Sequence, residues 1–218
     1  YRLEPFIFRY AQFERHAGKK VLEVGCGVGT DLVQFARAGA DVVGIDLSSR
    51  SASLARTGLQ VHGCQGQVAI ADAENLPFKN SQFDLVYSWG VLHHTPDPEK
   101  AIREIHRVSR PGAEFCVMLY HRHSLVALQL YIVFALLSLR PFRRLQDLVA
   151  NHHESTGTKA YTKREAKSLF SLFEDLRIET LLTPYDLRVG KNRFFPQWAH
   201  RLIPRSFGWF MVIQGRKA

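Results

Sequence analysis

The sequence predicts an α/β fold in which a mostly parallel β-sheet carries helices on both faces. In the first half of the chain, short apolar runs rich in β-branched residues alternate with stretches whose apolar residues recur at helical spacing. The turns between them are short, and strand–helix–strand units of this kind place consecutive strands parallel. Such sheets bind ligands outside the carboxyl ends of their strands, so functional residues are expected there.

The first half contains five predicted strands and three predicted helices. The strands cover residues 21–24, 42–45, 68–70, 83–87 and 113–120. One helix contains Leu32 and ends at Gly39, the second runs from about Ser49 to a C-cap at Gly63, and the third runs from Pro98 to Val108.

The second half is less regular. Residues 124–139 are nearly all apolar, and Arg140, Arg143 and Arg144 follow them. A helix is predicted over Tyr161–Phe173, with strands over Leu176–Leu182 and Gly208–Gln214. No repeat or linker is visible, so a single domain over residues 1–218 is expected.

Composition limits the class of protein. The 218 residues are 46% hydrophobic, which suffices for one substantial core. The three cysteines lack metal-type spacing, which favours a reducing, cytoplasmic location over a disulfide framework. At 16 residues, the apolar stretch is shorter than the roughly 20 that span a bilayer, so no transmembrane helix is expected.

The net charge of +9 is concentrated near the end of the chain. From Asp186 onward there is one acid against seven basic residues: Arg188, Lys191, Arg193, Arg201, Arg205, Arg216 and Lys217. A phosphate-bearing substrate, an anionic membrane surface or a nucleic acid would suit such a region. A solvated basic face explains it equally well.

A glycine turn joins the first strand to its helix, with the sequence Glu23-Val-Gly-Cys-Gly-Val-Gly-Thr30. Glycines allow a tight turn and let a ligand approach bare backbone. The dinucleotide pattern G-x-G-x-x-G requires glycine where Thr30 stands. A ligand without a pyrophosphate therefore fits better than NAD.

Two acids follow the next two strands. Asp46 ends the second strand, where a carboxylate can accept both hydroxyls of an adenosine ribose; the alternative is an N-cap, which Ser48 or Ser49 can also supply. Asp72 ends the third strand, where it can accept from an adenine amino group while the next backbone N–H addresses a ring nitrogen. Three ligand groups at three neighbouring strand ends are hard to explain as packing.

Four motifs together resemble the class I S-adenosylmethionine-dependent methyltransferases, in the subgroup that acts on small molecules. They are VLEVGCGVGTD, VVGIDLS, DAENLPF and FDLVYSWGVLHHTPDPEKAIREIHRVSRPG, within residues 20–120. The resemblance implies a Rossmann-like, seven-stranded sheet with an antiparallel last strand, and S-adenosylmethionine as cofactor. It implies cofactor binding by Glu23, Gly25, Gly27, Gly29, Thr30, Asp46, Leu47, Asp72, Ala73, Ser88 and Trp89. Ala113 stands where a second glycine is frequent in this family.

The loop after the fourth strand contains His93 and His94, and the resemblance implies that this loop borders the transferred methyl group. Either imidazole is a candidate base, because it titrates near neutral pH and a base is needed when the acceptor must lose a proton. The alternative role is to cap or brace the helix that begins near Pro98.

Other candidates for acceptor binding lie at the end of the fifth strand and near the start of the chain. Tyr120, His121 and His123 close the fifth strand, and Tyr10 covers the cofactor or belongs to the core. No metal is expected, because the histidine pairs lack both i,i+4 spacing and a partnering acid.

The apolar stretch lies where this family inserts substrate-specific elements, so residues 121–160 are predicted to form a helical cap on the substrate side. The stretch can be a lid, a core helix or an interfacial helix whose arginines meet lipid phosphates; a lid is favoured. With the basic region beside it, the acceptor is expected to be a small amphiphilic or anionic molecule.

Three alternatives remain for function. An RNA methyltransferase would use the basic region, although Ser88-Trp89-Gly90-Val91 stands in place of an Asn-Pro-Pro-Tyr-type tetrad, and nucleic acid is not the expected partner. A non-catalytic protein that binds the cofactor would carry the same motifs. A nicotinamide oxidoreductase is disfavoured by the glycine spacing.

Overall fold

A computed structural model describes residues 1, 4–189, 193–194 and 202–218 of the chain. Its strands are β1 (Lys20–Val24), β2 (Asp41–Asp46), β3 (Gln67–Ile70), β4 (Phe83–Trp89), β5 (Ser109–Tyr120), β6 (Glu174–Leu181), β7 (Arg188–Val189), β8 (Arg193–Phe194) and β9 (Phe210–Arg216). Seven of them form one sheet in the order β3-β2-β1-β4-β5-β9-β6, and β7 pairs with β8 in a separate two-stranded ribbon. The pairings β1–β2, β1–β4, β2–β3 and β4–β5 are parallel, whereas β9 runs antiparallel to both β5 and β6. The predicted seven-stranded sheet with an antiparallel last strand is confirmed.

Helices cover both faces of this sheet. They are α1 (Ile7–Ala11), α2 (Thr30–Arg37), α3 (Ser49–Val61), α4 (Pro98–Val108), α5 (Leu125–Tyr131), α6 (Leu145–His152) and α7 (Lys163–Leu169). The buried side chains of α2 and α3 belong to one apolar cluster, and those of α4 and α7 belong to a second cluster on the opposite face. Because successive strand residues point to opposite faces, the central strands contribute to both clusters.

Capping residues account for where α7 begins. The Thr162 hydroxyl accepts from the Glu165 backbone N–H, and the Glu165 carboxylate accepts from the Thr162 N–H, which forms a capping box. Tyr161, predicted as the first residue of this helix, instead forms a bridge with His121 at the end of β5. The helix is therefore shorter than the predicted one at both ends.

The segment between β5 and β6 contains α5, a π-helical turn over Ile132–Leu136, and α6. The Ser124 hydroxyl caps α5 by accepting from the Ala127 N–H. Val126, Ala127 and Ala135 are buried, whereas the other side of this apolar stretch is exposed. The stretch is therefore only partly a core element. Within the described part of the chain, no helix has the length and apolar character needed to cross a bilayer.

Candidate functional site

A cavity of about 600 Å³ lies at the carboxyl ends of β1 and β4; we call it the glycine cavity. Its lining residues are Tyr1, Glu4, Ile7, Glu23, Gly25, Cys26, Gly27, Thr30, Asp31, Trp89 and Tyr185. It therefore lies at the edge of the sheet where the sequence places the ligand, and five of the predicted cofactor residues line it.

The glycine turn exposes backbone to this cavity. Gly25 has φ +74°, and a Cβ at this position would overlap the Val91 side chain. Gly27 has φ +53°, and a Cβ there would have no atom within 4 Å, so open space adjoins its backbone. Both residues thus adopt a conformation that favours glycine, and Gly27 leaves room for a ligand to approach.

Asp46 connects the end of β2 to this turn. One carboxylate oxygen accepts from the Gly27 N–H at 2.9 Å, and the other accepts from the Ser48 N–H at 2.9 Å. Ser48 is the N-cap of α3, since its hydroxyl accepts from the Ser51 N–H. Each carboxylate oxygen has a second lone pair for a ligand hydroxyl. Ser48 is therefore the residue that caps α3, and Asp46 is not needed for that role.

Glu23 is a buried carboxyl group at the glycine cavity. Burial raises its pKa well above the usual range, and the nearby charges of Asp31 and Asp46 raise it further. Its Oε2 atom is buried and has no hydrogen-bond partner among the described residues. An unpaired buried carboxyl oxygen is costly, and an ammonium group in the cavity would satisfy it. The methionine part of S-adenosylmethionine carries such a group, so the residues fit this cofactor.

The other predicted cofactor residues do not line the glycine cavity. Asp72 and Leu47 are exposed and Ala73 half-buried; all three lie at the ends of β2 and β3, outside the lining of the glycine cavity. Gly29 is buried, and a Cβ there would overlap Ala55, so it permits close packing of α2 on α3. The fully buried Ser88 hydroxyl donates to the Val24 carbonyl, which leaves Trp89 as the residue of this pair that lines the cavity.

A second cavity, of about 840 Å³, adjoins the first; we call it the apolar cavity. It is lined mainly by apolar and aromatic residues from β4, β5, α5, the π-helical turn and β9: Trp89, Gly90, Met118, Tyr120, Val126, Leu130, Val133, Phe134, Trp209 and Phe210. Its polar lining consists of Glu4, Gln129, His152, His153, Glu154 and Tyr185. Predicted acceptor residue Tyr120 therefore lines it.

Glu4, Trp89 and Tyr185 line both cavities and mark the junction between them. The Glu4 carboxylate accepts from Trp89 Nε1 at 3.2 Å and from the Tyr185 hydroxyl. Burial raises the Glu4 pKa, although these two hydrogen bonds oppose the rise. The junction thus has an aromatic wall and one carboxyl group.

A polar cluster surrounds Glu154 on the wall of the apolar cavity. The Tyr120 hydroxyl donates to Glu154 Oε2 at 2.7 Å, and His94 Nε2 lies 3.4 Å from the same oxygen. His153 Nε2 lies 3.7 Å from Glu154 Oε1. Although burial acts to raise it, the Glu154 pKa is lowered overall by these hydrogen bonds and by the neighbouring histidines. Glu154 therefore presents a carboxylate to the cavity at neutral pH.

The contacts of His94 and His93 favour the bracing role over the base. His94 Nδ1 lies 3.0 Å from Ser155 Oγ and 3.1 Å from Thr158 Oγ1, so both of its ring nitrogens have partners. The His93 ring is fully buried against Tyr120, with ring centroids 3.8 Å apart. Neither imidazole lines either cavity. The two histidines connect the loop after β4 to the segment that follows α6.

The other residues predicted to bind the acceptor, Tyr10, His121 and His123, lie outside both cavities. The buried Tyr10 donates from its hydroxyl to Glu179 at 2.7 Å and belongs to the core, the second role considered for it. His121 is buried with Nδ1 3.2 Å from the Gly208 carbonyl, and His123 is exposed. None of the three lines the two cavities.

Sequence reasoning missed Glu4, Glu154 and Tyr185. No local motif marks them, since each acts through partners far away in the chain; for example, Glu154 meets His94 across 60 residues. Their only sequence signal is an acid or a tyrosine beside an apolar segment. Four members of the predicted basic region, Arg188, Lys191, Arg193 and Arg201, have side chains outside the described part of the structure. Of the others, Arg216 pairs with Asp175 at 2.8 Å, and Lys217 donates to the His106 and Ser109 carbonyls.

Part of the chain is similar to known methyltransferases. Residues 22–117 match the family model described as a methyltransferase domain. Methyltransferase GfsG of Streptomyces halstedii is 36% identical over 111 residues, which are 50% of this chain and 40% of that protein. The ubiquinone biosynthesis O-methyltransferase of Azoarcus sp. is 39% identical over 97 residues, 44% of this chain and 42% of that protein. The chain thus matches about two fifths of the length of these curated relatives.

Solved structures share the whole fold. A methyltransferase from Methanosarcina mazei, described as dependent on S-adenosylmethionine, covers 98% of this chain with a TM-score of 0.66 at 22% identity, over 97% of its own length. A similar enzyme from Thermotoga maritima covers 100% of this chain and 95% of its own, with a TM-score of 0.62 and 19% identity. The match over residues 22–117, which is less than half of the chain, supports the predicted methyltransferase domain, and the solved structures show its fold.

Proposed function

We propose that this chain is an S-adenosylmethionine-dependent methyltransferase whose acceptor is a small amphiphilic molecule. The observation that carries the proposal is the meeting of two cavities at Glu4, Trp89 and Tyr185. One cavity is lined by glycine backbone and acids and suits the cofactor. The other is larger and apolar, and it suits an organic acceptor whose reactive atom reaches the junction.

The residues of the first half hold the cofactor. When bound, S-adenosylmethionine supplies an electrophilic methyl group on a sulfonium. Glu23 and the backbone at Gly25 and Gly27 bind the methionine portion, and Asp46 accepts from the ribose hydroxyls. Asp72 and the Ala73 N–H bind the adenine at the end of β3. This assignment rests on the positions of the strand ends and on the unpaired Glu23 oxygen.

The residues at the junction of the two cavities position the ligands and accept a proton from the acceptor. Methyl transfer is an in-line displacement, so positioning and exclusion of water provide much of the rate. The Trp89 ring separates the two cavities and orients both ligands. Glu4 is the carboxyl group at this point, and its raised pKa suits it to accept the proton that an acceptor hydroxyl or amine loses. We assign the base to Glu4, because neither His93 nor His94 lines a cavity.

The segment over residues 121–160 caps the acceptor cavity within one domain. Val126, Leu130, Val133 and Phe134 line that cavity from α5 and the π-helical turn. The opposite side of the same segment is exposed and apolar; Leu139 is 89% and Phe142 98% exposed. The exposed Arg140, Arg143 and Arg144 lie beside them.

An apolar face with neighbouring arginines suits a membrane surface with anionic lipids. Peripheral contact of this face would bring a lipid-like acceptor to the cavity that the same segment lines.

A calorimetric titration and an acceptor screen test the proposed function. Calorimetry on the full chain is expected to show one equivalent of S-adenosylhomocysteine bound, and less after Glu23→Ala. Candidate quinols, phenols and amines with apolar chains are then screened for release of S-adenosylhomocysteine. Absence of measurable binding by the wild-type chain would refute the cofactor assignment. Turnover restricted to RNA would refute the small-molecule acceptor.

A further inference from the structure

His93 is an unsatisfied group on the wall behind the apolar cavity. Its side chain is fully buried, and both Nδ1 and Nε2 lack a hydrogen-bond partner among the described residues. A neutral imidazole has one donor and one acceptor, and leaving both unpaired in the interior costs free energy. Buried polar groups in native proteins almost always have a partner, so an unpaired imidazole indicates a group that binds there.

His94 and Glu154 are the nearest groups that can share such a ligand. One ligand atom from each of His93, His94 and Glu154 lies within 4.8 Å of the others. A zinc ion binds nitrogen and oxygen at about 2.1 Å in a tetrahedral arrangement, so its ligand atoms stand about 3.4 Å apart. The three groups therefore close around one ion if the most distant pair approaches by at most about 1.4 Å, which side-chain rotation can supply. The sequence shows no acid paired with these histidines, and the structure places Glu154 beside them.

The surrounding hydrogen bonds orient these ligands. His94 Nδ1 faces the Ser155 and Thr158 hydroxyls, which leaves Nε2 directed at Glu154. Metal-binding histidines typically donate their second ring N–H to an oxygen in this way. The Tyr120 hydroxyl holds Glu154 Oε2 at 2.7 Å, which fixes the carboxylate as well.

We propose that His93, His94 and Glu154 bind one divalent transition-metal ion of the zinc class. Two imidazoles and one carboxylate favour such an ion over Mg²⁺ or Ca²⁺, which prefer oxygen ligands only. Glu154 lines the apolar cavity whereas His93 and His94 do not, so the ion would brace the wall of that cavity. This bracing role rests on the proposed function, in which the apolar cavity binds the acceptor. Binding of the ion itself does not depend on that role.

Titration with zinc and cobalt tests the site. The full chain, stripped with chelator under reducing conditions, is expected to bind one equivalent of Zn²⁺ in calorimetry. The Co²⁺ form is expected to show visible d–d absorption. Glu154→Gln keeps the shape of the side chain and removes its charge, and it should weaken Zn²⁺ binding by at least about tenfold. His94→Gln should do the same, whereas the exposed His123→Gln should bind as the wild type does.

Two outcomes would overturn the site: a wild-type chain that binds less than half an equivalent of Zn²⁺, or Glu154→Gln with wild-type affinity. Thermal unfolding of each variant checks that it is folded. S-adenosylhomocysteine is titrated in parallel, because its binding depends on the glycine cavity alone. Failure of that titration therefore counts against the proposed function, and failure of zinc binding counts against the metal site.

Discussion

The Asp46 carboxylate accepts a hydrogen bond from the Gly27 backbone N–H at 2.9 Å. This bond fixes the glycine turn after β1 to the end of β2, so the Asp46 side chain helps to shape the turn that lines the glycine cavity. The same two residues are 19 positions apart in the chain, and the parallel pairing of β1 with β2 brings them together.

Asp46→Ala should weaken S-adenosylhomocysteine binding by at least about tenfold, since a hydrogen bond to a charged group contributes about 1.5–3 kcal/mol. Calorimetry measures the affinity. Ser48→Ala is the matched control: it removes the N-cap of α3 and about 1 kcal/mol of stability while leaving the ligand contacts in place. Equal affinity losses in the two variants would mean that Asp46 acts only through the fold.

Gly27→Ala should abolish measurable S-adenosylhomocysteine binding with only a modest loss of stability. The new methyl group would occupy open space at the cavity, and the φ of +53° adds about 1 kcal/mol of strain. Gly63 has φ +63° and a Cβ there would also meet no atom within 4 Å, so Gly63→Ala has the same strain away from the site. Ligand binding by Gly63→Ala should equal that of the wild type; comparable weakening in both would assign the effect to backbone strain.

Glu4→Gln should lower kcat by at least about a hundredfold, the usual contribution of a general base, while S-adenosylhomocysteine affinity stays within about twofold. Because the Glu4 pKa is raised, wild-type activity should fall as pH decreases through that pKa, when the carboxylate becomes protonated. The pH profile of S-adenosylhomocysteine release with an accepted substrate measures this. An acid limb that persists unchanged in Glu4→Gln would exclude Glu4 as the base.

Acid should destabilise the chain partly through His16. Burial lowers the His16 pKa to about 4, and the ring packs against Phe35 with a ring-centroid distance of 5.9 Å. The folded state therefore keeps this imidazole neutral, whereas the unfolded chain gains a proton below about pH 6.5. The neutral His16 ring therefore contributes to the free energy of unfolding above about pH 6.5, and this contribution is lost as the pH falls toward 4. Urea unfolding at pH 7 and pH 5 should show a smaller loss for His16→Phe than for the wild type; equal losses would contradict the assignment.

Leu139→Glu combined with Phe142→Glu should reduce flotation with anionic vesicles. The two side chains are almost fully exposed, so the substitutions should change the midpoint of thermal unfolding by little. Vesicles of phosphatidylcholine with phosphatidylglycerol are compared with phosphatidylcholine alone, and Leu202→Glu, at an exposed leucine outside the insertion, serves as control. Absence of wild-type flotation with either vesicle would rule out the membrane contact.

The sheet and the cofactor side were predictable because their signals are local. The helix over Pro98–Val108 coincides with α4, where Asp97 supplies the N-cap and proline the first helical residue. The acids at Asp46 and Asp72 follow strands whose ends can be located from apolar runs. In contrast, the bounds of α6 within the predicted helical cap have no clear signal in the sequence, because few of its residues, such as Leu148 and Val149, are buried.

The acceptor side was less predictable because its groups come together only by tertiary contacts. Tyr120 was expected at the rim, but its partner Glu154 is 34 residues away in a polar stretch without periodicity. The histidine pair was recognised, yet its burial and partners depend on the segment after α6. The sequence therefore predicts a histidine base in the motif after β4, whereas the carboxyl group at the junction, that of Glu4, belongs to a segment without a motif.

The position of β9 has a consequence for the order of folding. Among the strands that the structure describes, β6 pairs only with β9, and β9 lies between β6 and β5. During synthesis on the ribosome, the edge of β5 therefore stays open until residues 210–216 have emerged. The nascent chain must hold an unpaired strand edge in solution for that interval, a period in which chaperones can bind it and other chains can pair with it.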